Sequence, residues 1–370
     1  MHRLTVAVVL AWLPQAVYAQ QPVTGQQSAP AADSLIDWRD ANDAVGQFRR
    51  GHADVLRWEE QNNSIPADTK PAANALALPS AADAVREAWR RNYELAATLS
   101  TLGPANVERI AAGRWGEVDP LLQRNIHGFG TVLKSAAEVR KAWVNAVAAR
   151  QAVTHYRAAT TANEAASELG RRMVRVGNWS KLQQARVELS TVTARMSVQR
   201  AAYAATRAEV ELARVLRLPG GPVTFGLPDS LPDLPAQPIA EEEIKQRLAR
   251  LAPLLPRAER FRMGHGVPVA LQAYRASHAL AVAHRDETMK LREFVNDETV
   301  LRYNGMLKSV WDMLEETATR SRASIESIDA QRDFWAAESD LQLMLQGEMP
   351  DSFVSLGSPG GSPSAAAAPH

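Results

Sequence analysis

Leu182, Leu189, Met196, Tyr203 and Val210 stand seven residues apart, with Ala185 and Val192 on the companion positions. Such spacing holds one narrow stripe of a helix against a neighbour along its whole length, and neither a strand nor a compact fold calls for it. A preceding stretch repeats the device through Val132, Val139, Ala146 and Val153, with Ala136 and Trp143 beside them. Alanine, abundant in both, favours helix and lets backbones approach closely. Each helix is expected to run roughly 40 residues, about 60 Å at 1.5 Å per residue. No single compact globule has helices of that length, and a plain antiparallel coiled coil satisfies the periodicity alone.

The turn between the two stretches reads Arg175-Val176-Gly177-Asn178-Trp179-Ser180: a glycine suited to a left-handed helix terminus, then a serine able to cap the next helix. A related turn, Tyr303-Asn304-Gly305-Met306-Leu307-Lys308-Ser309, recurs with its glycine 128 residues on (305 minus 177). A helix is predicted before it from about Pro268, and another after it from Leu307 to Gln346 carrying Val310, Met313, Leu314, Ile325, Ile328, Trp335 and Leu341. Two hairpins with glycine tips imply an internal duplication. Gly177 and Gly305 are both expected to take the left-handed conformation that a residue with a Cβ resists.

Proline, glycine and serine clusters divide the rest of the chain. Met1-His2-Arg3, the apolar run Leu4 to Leu13 and Val17-Tyr18-Ala19 make residues 1–19 an export signal, so that the mature protein begins near Gln20. Residues 20–78 read as a polar lead with short helices, 79–218 as the first hairpin repeat and 219–266 as a proline-rich crossing with a short helix. Residues 267–347 read as the second hairpin and 348–370 as a disordered tail. Two smaller glycine turns, Phe48–Leu56 and Ala112–Asp119, read either as shortened relics of the same hairpin or as ordinary glycine-ended helices.

The chain has no cysteine, which excludes a disulfide framework, a thiolate metal site and a lipid-modified N-terminal cysteine. A formal charge of +1 with 22% charged residues leaves no basic stripe for nucleic acid. His265, His278 and His284 lie in one region with Met263 and Met289, a ligand set that copper favours. His278 and His284 are six apart, however, on different faces of a helix, so surface histidines and core methionines are the better reading. No catalytic order of residues, phosphate loop or paired acid stands out. No enzyme, cofactor or metal is predicted.

The segment from Glu168 to Leu189, with Gly177 at its tip, resembles the first hairpin tip of the TolC, or outer-membrane efflux protein, family. Asp329-Ala330-Gln331, beyond the second tip, is similar to the Asp-Ala-Gln helix found there, and the strap Leu227–Pro235 followed by Glu241 to Arg260 looks like the family's crossing and equatorial helices. The resemblance, spanning about Pro79 to Gln346, implies an all-α fold of two long antiparallel coiled-coil hairpins, a periplasmic α-barrel protomer with little or no β. It implies a homotrimer in the periplasm, associated with the outer membrane. The tips, Arg175, Val176, Gly177, Asn178, Tyr303, Asn304, Gly305 and Met306, would then dock with a periplasmic adaptor (membrane fusion) protein that serves an inner-membrane pump. The departure lies in the family's barrel strands, for which the slots are Leu102–Gly130 and Arg257–Pro268. The second is too short for two spanning strands of about 9 to 11 residues, and the first lacks alternation. The alternative expectation is a periplasmic coiled-coil scaffold or accessory protein without channel activity.

Overall fold

The computed structural model describes residues 75–221 and 223–356. The expected export signal at 1–19, the expected lead from residue 20 to 74 with the turn at Phe48–Leu56, and the expected tail from 357 lie outside the described residues. The fold is all-α. Its helices are α1 (Ala81–Arg91), α2 (Ala96–Ala111), α3 (Leu121–Asn125), α4 (Phe129–Arg175), α5 (Lys181–Val215), α6 (Glu241–Leu251), α7 (Arg257–Ala283), α8 (Met289–Asn304) and α9 (Val310–Met344). The strands among the described residues are β1 (Leu76–Ala77) and β2 (Phe225–Gly226), which pair in parallel with Leu76 opposite Phe225. A five-residue π segment, His284–Thr288, joins α7 to α8.

Both barrel-strand slots are helical. Residues 102–130 hold most of α2, a 3-10 turn at Trp115–Glu117 and α3, while 257–268 forms the start of α7. The glycine turn at 112–119 is an ordinary helix end. Gly113 takes φ +79 and Trp115 folds back, buried, so that its Nε1 donates to the Ile110 carbonyl at 2.7 Å.

α4 has 47 residues and α5 has 35, so by rise alone they extend about 70 and 53 Å. The four long elements pack in the order α5, α4, α9, then α7 with α8. α4 and α9 are therefore interior, whereas α5 and α8 are edges. Two apolar clusters hold the end remote from the tips. One gathers α1 and the start of α4 around Val85, Trp143, Val132 and Leu133. The other sets Tyr274 and Met263 of α7 against Phe334 and Leu341 of α9, with Ile244 of α6 and Leu234 of the strap. The strap forms neither helix nor strand, and two of its carbonyls are held by side chains: that of Pro232 accepts from Gln331 and Trp335, and that of Pro235 from His278.

The two heptad stripes part company here. Val132, Val139, Ala146, Val153, Ala136 and Trp143 of α4 are all buried. The α5 stripe was expected to pack against its hairpin partner, and it does not: Leu189 is 70% and Tyr203 71% exposed, and Leu182, Val192, Met196 and Val210 are exposed with them. Over most of its length the inward face of α5 uses small and polar groups instead, with Leu212 fully buried near its C-terminal end. Thr191 and Ala201 are buried, Thr191 Oγ1 donates to the Asn163 carbonyl at 3.0 Å, and Glu209 pairs with Arg150 at 2.6 Å. Small residues give the close interhelical approach, which leaves the large apolar stripe turned outward.

Packed structure continues past residue 347, where the tail was expected to begin. Asp340, buried on α9, accepts from Lys141 Nζ at 2.5 Å and from the Val354 backbone N–H at 3.2 Å, and Phe353 and Val354 lie on the second apolar cluster. Burial pushes the Asp340 carboxyl above its ordinary range, with Lys141 opposing.

Candidate functional site: hairpin tips and exposed edges

At the first tip, Asn178 N–H reaches back to the Met173 carbonyl at 2.9 Å and Gly177 N–H to that of Val174 at 3.1 Å. This double closure requires a left-handed residue, and Gly177 supplies it at φ +79. Ser180 then opens α5 with a capping box: its Oγ accepts from Gln183 N–H at 3.2 Å while Gln183 Oε1 accepts from Ser180 N–H at 3.0 Å.

The second tip repeats the closure one residue later than the sequence implied. Leu307 N–H donates to the Arg302 carbonyl at 2.8 Å and Met306 N–H to that of Tyr303 at 2.9 Å. The left-handed residue is Met306, at φ +60, whereas Gly305 sits at φ −81. The structural repeat is therefore 129 residues: Gly177 corresponds to Met306, and Ser180 to the next cap, Ser309. Aligning glycine on glycine misplaced it, because two neighbouring positions differ and only hydrogen-bond closure identifies the equivalent one. Ser309 forms its capping box with Asp312. The Ser309 hydroxyl and N–H, with Lys308 beside them, hold the Asp312 carboxyl down to about 2.

The two tips are joined side by side. Trp179 and Trp311 stack with ring centroids 4.2 Å apart and planes 24° apart. Gly170 lies beneath, where an added Cβ would come within 3.2 Å of the Trp179 ring. In the sequence Trp179 stands only as part of a turn, and the one sign of its pairing with Trp311 is an aromatic near each tip. Arg175, Val176, Asn178, Asn304, Gly305 and Met306 are exposed, Met306 at 94%, and Tyr303 is half-buried. Of the eight tip residues predicted, the structure brings all to the two adjacent turns.

A second surface emerges at the edges. On α5 the apolar stripe is bordered by exposed Arg186, Arg200 and Arg207, none ion-paired among the described residues. On the opposite edge Leu280, Leu291, Phe294, Val295 and Leu301 are exposed, with Glu287 and Glu293 exposed among them. No residue of α8 is buried. Between the edges, alanines 142, 148, 149 and 152 of α4 floor a groove of about 640 Å³ walled by Arg200 and Arg207. The three histidines do not converge. His278 Nε2 faces the Pro235 carbonyl at 3.1 Å with its ring edge-on to Phe334, and His265 sets its ring edge-on to Phe261.

No protein-family model matches this chain, and no curated protein does either. Among solved structures the chain is similar to a membrane protein from Pseudomonas aeruginosa, with TM-score 0.47 and 13% identity over 75% of this chain and 97% of that one.

Proposed function

We propose that this chain is one protomer of a helical conduit in a tripartite efflux or export system, resembling the outer-membrane efflux family, in which copies associate side by side and the paired tips meet a periplasmic adaptor. The observation that carries the reading is the outward apolar stripe of α5. A row of large apolar side chains along about 40 Å of helix, left in water, is the kind of exposed patch that marks an association surface.

The other edge fits it. Within the chain, α4 and α9 run antiparallel with Lys141 meeting Asp340, so facing residue numbers add to 481. Shifting α4 up and α9 down by the same 129-residue repeat keeps that sum and gives the pairing that an α8 edge of one copy would make with an α5 edge of another. In that register Tyr203, Val192, Leu189 and Leu182 fall level with positions 278, 289, 292 and 299. Each is two residues from exposed Leu280, Leu291, Phe294 and Leu301. In the same register Arg186 falls level with position 295, within a turn of exposed Glu293, as flanking charges do in coiled coils.

The test is the mass of the purified protein in solution. A trimer that falls to monomer on Leu189→Ser with Tyr203→Ser, with helicity kept, supports the conduit; a wild-type monomer overturns it. A second reading, a coiled-coil scaffold without channel activity, is favoured by the helical filling of both strand slots. It predicts that the trimer, if formed, supports no transport. At the tips, Val176→Asp with Met306→Asp should abolish adaptor binding without changing mass.

A further inference from the structure

We infer that the end of the protein formed by the 252–254 turn and the first turns of α7 is a peripheral binding surface for an anionic phospholipid bilayer. Between Arg250 and His265 stand four arginines, at 250, 257, 260 and 262, against one acid, Glu259. Arg262 lies 3.8 Å from Glu259, while Arg250, Arg257 and Arg260 have no ion pair among the described residues. In a chain of net charge +1 this is a local concentration. On α6, Glu241 pairs with Arg275 at 2.9 Å, away from the cluster, while Asp119 stands beside Leu121 on the α3 side. Arg275 lies 18 residues up α7 from Arg257, about 27 Å away by rise.

The apolar part of the surface stands among those arginines. Met263, Gly266 and Ala270 face the protein, Gly266 against Met344. The opposite face of α7 therefore presents Phe261, 70% exposed, with Gly264, His265, Pro268 and Val269. α3 packs against the 252–254 turn, which brings exposed Leu121 to the same end. An exposed aromatic flanked by guanidinium groups, those of Arg257 and Arg260 without an ion pair among the described residues, has the two components that hold a protein at an anionic interface, apolar insertion and attraction to the surface potential. No helix among the described residues is long and apolar enough to cross a membrane. The contact is peripheral, and it does not depend on the conduit reading.

Vesicle sedimentation tests it directly, comparing phosphatidylcholine vesicles with vesicles in which about a third of the lipid is phosphatidylglycerol. Binding is expected on the anionic vesicles alone and should weaken as salt is raised from about 50 to 500 mM. Each arginine contributes about fivefold at such a surface, so Arg257→Gln, Arg260→Gln and Arg262→Gln together should reduce partitioning about a hundredfold. Phe261→Ser should reduce it about tenfold or more at unchanged helicity. Equal binding to both vesicle types, no binding at low salt, or full binding by the triple variant would overturn the inference. The monomeric seam variant, Leu189→Ser with Tyr203→Ser, should keep its preference for the anionic vesicles; loss of that preference would place the lipid surface on α5 and contradict the proposal.

Discussion

α4 and α5 carry the same seven-residue signature, and the structure puts one seam in the core and the other in water. Both lie in one hairpin with alanine-rich neighbours, so periodicity alone does not separate them. Neighbours do: α4 lies between α5 and α9 and receives α1 as well, whereas α5 packs chiefly on α4. A heptad seam thus reports that a helix needs a partner along its length without saying that the partner belongs to the same chain.

The sharpest way to break the comparison is to cut each seam in turn. Trp143, fully buried with its Nε1 donating to the Leu78 carbonyl at 2.9 Å, should cost about 3–5 kcal/mol when replaced by alanine, read by denaturant unfolding of monomeric protein. Tyr203→Ser on α5 should change the same monomer by no more than about 0.5 kcal/mol. Equal costs would mean that α5 packs inward after all.

The two tips offer the next contrast. Gly177→Ala should destabilise by about 1 kcal/mol, since it forces a Cβ into φ +79, while Met306→Gly should stabilise by a similar amount. Gly305→Ala should be neutral or slightly stabilising, against the expectation from sequence. Thermal unfolding of the three variants separates the assignments, and a large loss on Gly305→Ala would restore the glycine-on-glycine alignment.

Removing the clamp between the tips is a smaller perturbation. Trp311→Leu keeps bulk but loses the stack, worth about 0.5–1.5 kcal/mol beyond burial. Its signature is the disappearance of coupled tryptophan bands from the near-ultraviolet dichroism with helicity intact.

The smallest effect distinguishes the caps by pH. Asp312 is depressed to about 2 from its ordinary value near 3.8. Its contribution is therefore present above pH 4 and lost as pH falls through 2, whereas the Gln183 cap of the first tip does not titrate. Amide exchange should show the second tip fraying at pH 2 and the first holding. Equal fraying would contradict the Ser309–Asp312 cap.

Much of this was legible beforehand because it depends on local rules. Helix class, hairpin positions and the absence of strand from residues 102–130 follow from spacing, prolines and cap residues, whereas the helix expected from about Pro268 begins at Arg257 and carries Pro268 inside. What was not legible depends on three-dimensional closure. The sequence cannot show that Thr191 and Ala201 give α5 a closer fit than Leu189 would, that a methionine takes the left-handed position one residue past a glycine, or that Trp179 finds Trp311. Nor did the residues 348–356 look packed, since the Asp340 carboxylate that receives Val354 lies on a different element.

In the proposed conduit the α5 edge of one copy meets the α8 edge of another. The chain has no cysteine, so Leu189→Cys with Phe294→Cys introduces the sole thiols, one on each edge. Under mild oxidation a covalent ladder between copies is expected that ends at three and that neither single variant extends beyond a dimer. Protein that stays monomeric with both thiols free, while folded and concentrated, would contradict it.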